Sequence, residues 1–101
     1  MDKKYKIFFT ADALYDLKQI KHYLDGYDPS IFYTLFDKIK NHMSILEIHP
    51  YINMVFLIHR GIEYRRLNIK EYRVIYNIDE SDNVVYIDRC FHYREDYYEK
   101  M

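Results

Sequence analysis

The sequence predicts an α+β fold: an N-terminal strand and a helical hairpin packed on an antiparallel sheet of three or four strands. Two observations carry this reading. In the first half, apolar residues recur at three- and four-residue spacing through two consecutive segments, Ala13 to Leu24 and Phe32 to Leu46. From Glu63 onward they alternate instead, in short runs separated by polar turns. Consecutive strands with short connections pair as an antiparallel meander, and two amphipathic helices bury their stripes by covering one face of it.

Taken in order, Tyr5 to Phe9 is a short β-type run. Thr10 caps the first helix, and Asp12 sits in its first turn, where the helix dipole favours an anion. Ala13, Leu14, Leu17, Ile20 and Leu24 form its apolar stripe, and Gly26 is a natural stop. Asp28 then caps a second helix with Pro29 at its first position. Phe32, Leu35, Phe36, Ile39, Met43 and Leu46 make the second stripe, with Asp37, Lys38, Lys40, Asn41 and Ser44 facing away. Pro50 ends this helix near His49. Tyr51 to His59 is apolar without a clean period and reads as a strand or a loop that packs down.

Glu63 to Ile69 reads as a strand and Lys70-Glu71 as a tight turn. Tyr72, Val74, Tyr76 and Ile78 alternate with Arg73, Ile75 and Asn77, a strand with two differently used faces. Asp79 to Asn83 is a polar turn. In the last strand, Val84 to Phe91, simple alternation puts Val85, Ile87 and Phe91 on one face and Tyr86, Cys90 and His92 on the other. The charged, tyrosine-rich tail from Glu95 to Met101 reads as one or two helical turns.

A chain of 101 residues suits a single domain, 1–101, with one core. Thirteen tyrosines supply most of the 19% aromatic content and suit half-buried strands and contact surfaces. A net charge of −1 excludes a strongly basic field over the whole protein, so any anion binding is local. Cys90 is the only cysteine, which rules out an internal disulfide and a Cys-rich zinc site and fits a reducing compartment. The apolar run Ile7 to Phe9 is too short for a signal peptide, and nothing approaches the roughly 20 apolar residues of a membrane span. The expectation is a cytoplasmic protein with no membrane segment. Signatures for P-loops, dinucleotide binding and serine hydrolysis are absent. No metal or other cofactor is expected, because His22, His42, His49 and His59 lack metal-ligand spacing.

The chemistry is concentrated at the back. All six arginines fall between Arg60 and Arg94, in a run ending Cys90-Phe91-His92-Tyr93-Arg94-Glu95-Asp96. Arginine grips phosphate or carboxylate in a fixed, forked geometry. Spaced strand arginines beside a His-Tyr-Arg cluster therefore form a candidate phosphate site. The competing reading is that these arginines are solvated or paired with Glu71, Asp79 or Asp88. Cys90, on a strand, reads as a buried small hydrophobe.

Several blocks together resemble toxins of the RelE/ParE superfamily of type II toxin–antitoxin modules. They are Ala13 and Leu17 in the first helix, Leu46 with Pro50 at the end of the second, and Tyr64-Arg65-Arg66-Leu67. Tyr72-Arg73-Val74-Ile75-Tyr76-Asn77-Ile78-Asp79, Val85, Ile87 and Phe91-His92-Tyr93-Arg94-Glu95-Asp96-Tyr97 complete the set. The resemblance spans nearly the whole chain. It implies a small toxin neutralised by a cognate antitoxin protein in a hetero-oligomer. RelE-like and YoeB-like members cleave mRNA in the ribosome, ParE-like members poison DNA gyrase, and others have lost obvious activity. The expectation is a metal-independent, ribosome-dependent mRNA endoribonuclease, with gyrase inhibition or a non-toxic antitoxin-binding role as the alternatives.

Under the ribonuclease outcome, Arg73 matches the strand arginine that YoeB-like enzymes use at the scissile phosphate, and His92-Tyr93 matches their closing pair. Metal-free RNA cleavage needs a base for the 2′-OH, a cation for the phosphate and an acid for the departing 5′ oxygen. Arg73, His92 and Tyr93 are then the candidate catalytic residues, with Arg65, Arg66 and Arg94 as phosphate or RNA contacts. His92 is the natural acid or base by residue type, and Glu63 is a conceivable base. The glutamate base of YoeB-like enzymes and the lysine-rich stretch of RelE itself have no counterpart here. The chain also runs on past His92-Tyr93, as ParE-like chains do.

Overall fold

Thr10 sets the first corner of the molecule. The computed structural model describes residues 4–95. In it the Thr10 hydroxyl accepts the Ala13 amide (3.1 Å) at the start of α1, Ala11–Asp25, and donates to the Asp88 carbonyl (3.0 Å). The cap therefore also ties the helix start to the strand beside it. Ala13, Leu17, Ile20 and Leu24 are buried as the stripe requires, and Asp16 is buried among them. Leu14, placed in the same stripe by spacing, is exposed. Gly26 ends the helix with right-handed backbone (φ −68), so this stop does not use glycine's left-handed freedom.

Asp28 caps α2, Pro29–Leu46, by accepting the Ser30 amide at 2.9 Å, a bond that lowers its carboxyl pKa. Phe32, Leu35, Ile39, Met43 and Leu46 are buried against the sheet, with Phe36 partly covered beside them.

β1, Lys6–Phe9, precedes the helices, and β2, Val55–His59, β3, Ile62–Ile69, β4, Tyr72–Asp79, and β5, Val84–His92, follow them. They form one five-stranded sheet in the order β1-β5-β4-β3-β2. β2 to β5 are the expected antiparallel meander, now four strands, and the ambiguous Tyr51–His59 stretch divides into a connector and β2. β1 joins parallel to β5, which the crossover through both helices makes possible. The β2–β3 hairpin turns at Arg60 and Gly61, both at positive φ (52 and 80), the conformation that two-residue hairpins favour.

The reading of β5 as simply alternating is corrected. Ile75 pairs Arg89 while Tyr76 pairs Ile87, so Asp88 is an extra residue, a β-bulge. The bulge reverses the side-chain parity. Val85 and Ile87 face the helices before it, but Cys90, not Phe91, does so after it. Phe91 instead joins Ile75 on the opposite face, covered by Phe56, Leu57 and Tyr64. Cys90 is buried, and desolvation pushes its thiol up to about 12.

Polar clasps fix the connector between α2 and β2. Tyr76 is fully buried, and its hydroxyl donates to the Pro50 carbonyl (2.8 Å) and accepts from Asn53 Nδ2 (3.2 Å). Tyr51 and Tyr5 both donate to Glu80 Oε1, a bond that pushes the Tyr51 phenol up to about 12. Tyr76→Phe should cost about 1–3 kcal/mol, because it leaves a buried carbonyl without its donor. Urea denaturation reads this directly; a loss below about 0.5 kcal/mol would mean that water replaces the hydroxyl.

Candidate functional site

The six arginines do not form one face. Neighbouring strand residues point to opposite sides, so Arg65 and Arg66 separate. Arg65 turns back to the connector, where Nη1 donates to the carbonyls of Asn53 and Tyr51 and the guanidinium lies 4.9 Å from the Tyr51 ring centre. It is a structural clasp here, away from the other candidate contacts. Arg60 occupies the β2–β3 turn. Arg89 is held by Asp16 of α1, through bonds of 2.8 Å from Nε to Oδ2 and from Nη2 to Oδ1. Asp16 Oδ2 also accepts the Cys90 amide at 2.9 Å. The partner of a strand arginine is therefore Asp16, which the sequence reading did not consider.

Arg66, Arg73 and Arg94 have no carboxylate partner among the described residues. Register puts Arg66 opposite Ile75, and Asn68 opposite Arg73, which itself faces Phe91. Arg66 and Arg73 thus share the sheet face away from the helices, as diagonal neighbours on adjacent strands. Arg73 donates from Nη1 to Asn68 Oδ1 at 3.0 Å, and its guanidinium carbon lies 5.8 Å from the centre of the Tyr93 ring. Arg94 lies 5.5 Å from the same ring and donates from Nε to the Tyr93 hydroxyl at 3.0 Å. Tyr93 is thus flanked by two guanidinium groups, and Arg66 lies 5.2 Å over Phe56.

The bulge moves His92 as well. It pairs with Tyr72 and meets that ring edge-on at 5.5 Å, so it leaves β5 on the helix side, while Arg73 faces the other way. Tyr93 links the two sides, its ring centre 4.6 Å from that of His92. The turn after β5 holds this arrangement: Tyr93 N–H donates to the Glu71 carbonyl (2.7 Å) and Glu95 N–H to the His92 carbonyl (2.9 Å). The Arg94 amide donates to His92 Nδ1 at 3.2 Å. An accepting Nδ1 carries no proton, so neutral His92 presents Nε2–H as a donor. Acting as a base through Nε2 would require the other tautomer and the loss of that bond.

Glu63, the conceivable base, is remote. It lies five residues along β3 from Asn68, roughly 17 Å at strand rise. The carboxylates brought near His92 are Glu71 and Glu95, which with Tyr72, Ile20 and Tyr23 line a cavity of about 590 Å³ beside it. Glu95 Oε1 accepts the His92 amide at 3.2 Å. Among the described residues, no three His, Cys, Asp or Glu side chains come together to hold a metal, and no helix is long and apolar enough to cross a membrane. Asp96, Tyr97 and the helical turns expected in the tail lie outside the described residues.

Comparisons with known proteins agree with this fold. No curated protein matches the chain. Among solved structures, it is similar to a chain of the toxin–antitoxin complex RelBE2 from Mycobacterium tuberculosis (23% identity, TM-score 0.60, covering 88% of this chain and 91% of that one). It is also similar to a chain of the archaeal RelE–RelB complex from Pyrococcus horikoshii OT3 (21% identity, TM-score 0.60, 92% and 99% covered). A third is in the chromosomal ParDE system of P. aeruginosa (15% identity, TM-score 0.67, 90% and 98% covered). The family model for the ParE toxin of the type II toxin–antitoxin system parDE matches residues 7–97. With nearly the whole chain matched, this protein belongs to that family, as a type II toxin of the RelE/ParE superfamily.

Proposed function

We propose that this toxin is a metal-independent, ribosome-dependent mRNA endoribonuclease that inhibits translation. The observation that supports it best is Tyr93 flanked by Arg73 and Arg94, guanidinium groups that no carboxylate neutralises among the described residues. In this reading Arg73 and Arg94 hold the scissile phosphate and stabilise the charge that builds on it, with Arg66 a further RNA contact beside them. Tyr93 packs against a splayed base or donates to a phosphate oxygen. His92, its Nδ1 held by the Arg94 amide, donates a hydrogen bond from Nε2–H that stabilises charge on the departing 5′ oxygen, whose proton then comes from water. Three of the structures similar to this chain are toxin–antitoxin assemblies, and a cognate antitoxin covering the arginine face is the matching partner here.

A second reading is a gyrase inhibitor that acts by binding. It draws on the ParE family model and on the place of His92, on the opposite side of the sheet from Arg73. One experiment separates the two: pulse-labelling of protein and DNA synthesis in bacterial cells after inducing the chain without a partner. The ribonuclease reading expects protein synthesis to stop first, with new internal 5′ ends in mRNA. DNA synthesis failing first, with intact mRNA and a DNA-damage response, would overturn it in favour of gyrase. Growth and both syntheses unchanged would make the chain a non-toxic member of its family.

A further inference from the structure

Beside the Arg73 site lies a groove that the assignments above leave unused. It has a volume of about 400 Å³ and is lined by Ile52, Val55, Phe56, Arg66 and Asn68 among others. Phe56 is seated on the Ile75–Phe91 cluster, so the groove has a fixed aromatic wall. Arg66 lies over that ring and is itself exposed, which leaves the outer face of the guanidinium open. Asn68 connects the groove to Arg73. Arginine only donates, so the Asn68 oxygen must face Arg73, and the amide nitrogen must point away from it. Among the described residues that Nδ2 group makes no hydrogen bond.

We propose that this groove is a nucleobase subsite for single-stranded RNA. The base next to the phosphate held at Arg73 stacks on the Arg66 guanidinium, and one of its acceptor atoms takes a hydrogen bond from Asn68 Nδ2. A flat cation backed by an aromatic ring suits the π-face of a base better than it suits an aliphatic side chain. A single donor finds an acceptor on any of the four bases, so the subsite favours the presence of a base over its identity. The step from Arg73 to Asn68 is one hydrogen bond, which matches a base attached to the nucleotide whose phosphate Arg73 holds. The inference deepens the ribonuclease reading and rests on it.

The test uses the full chain and a fluorescein-labelled, 2′-O-methylated RNA pentamer that cannot be cleaved, with binding followed by anisotropy. Replacing one nucleotide at a time by an abasic unit should weaken binding about tenfold at one position, the size of a single stacked base. Arg66→Gln and Asn68→Ala, both at exposed positions, should lower affinity for the intact pentamer and remove that position's sensitivity. Arg73→Ala should weaken intact and abasic pentamers alike. Pentamer binding with equal affinity at every abasic position, or with the same abasic profile in Arg66→Gln, overturns the subsite and leaves the ribonuclease reading standing. No pentamer binding by the parent chain, together with failure of DNA synthesis first in cells, overturns both.

Discussion

Asp16→Ala is expected to destabilise the protein by about 3–5 kcal/mol, the usual cost of breaking a buried pair from one side. The carboxylate is 6% exposed and the Arg89 side chain 15% exposed, so solvent screens the pair little. Asp16 receives two guanidinium bonds and the Cys90 amide, which makes it the point where α1 grips β5 just after the bulge. That grip raises the Arg89 pKa further, chiefly through the Asp16 hydrogen bond, so the charge persists at every usable pH. Removing the carboxylate takes away the compensation for a charge that cannot be neutralised. For a domain of this size the thermal midpoint should fall by roughly 12 °C or more. Asp16→Leu combined with Arg89→Met should recover much of the loss, since an apolar pair of similar volume replaces buried ions at little cost. Thermal and urea melts of the three proteins decide it. A loss below about 1 kcal/mol in Asp16→Ala would mean that other contacts of Arg89 carry its charge.

Asp16 was also the most legible of the missed residues. It falls between Ala13 and Leu17, inside an otherwise apolar helical stripe, and a buried carboxylate needs a partner. Six downstream arginines were available, so an ion pair across the core was a fair expectation, although the spacing does not single out Arg89. The separation of Arg65 from Arg66 was legible too, because adjacent strand residues cannot both serve one face. Both helices were read from caps and stripes, which are local signals; the misses are Leu14, which is exposed, and the end of α2, which stops at Leu46 with Glu47 as its cap and not near His49 at Pro50. The parallel seat of β1 was not legible, since pairing across the whole helical hairpin leaves no mark on either strand. Nor was the bulge at Asp88, which no glycine or proline announces. That one extra residue decides where Cys90, Phe91 and His92 point, so the site could be named from sequence but its two sides could not be told apart.

Under the ribonuclease proposal, Arg73→Ala should lower mRNA cleavage about 100-fold or more, the range seen when one preorganised donor to transition-state charge is lost. Its stability should change by no more than about 0.5 kcal/mol, because the side chain is partly exposed and its one hydrogen bond is to the exposed Asn68. This contrast with Asp16→Ala matters: one arginine-linked contact holds the fold and the other is free to act. Arg73→Lys sharpens the test. Lysine keeps the charge but loses the fork that holds Asn68 while lying over Tyr93 and that, in the ribonuclease proposal, also grips a phosphate. If geometry matters, the lysine variant should recover only a small part of the lost rate; if charge alone suffices, it should recover most of it. The measurement is the rate of appearance of cleaved mRNA on translating ribosomes, with a thermal melt beside it. An alanine variant that folds normally and still cleaves at the parent rate removes Arg73 from the chemistry. Loss of growth arrest in that same variant without any mRNA cleavage by the parent would instead make Arg73 part of a binding surface, the outcome that the gyrase reading requires.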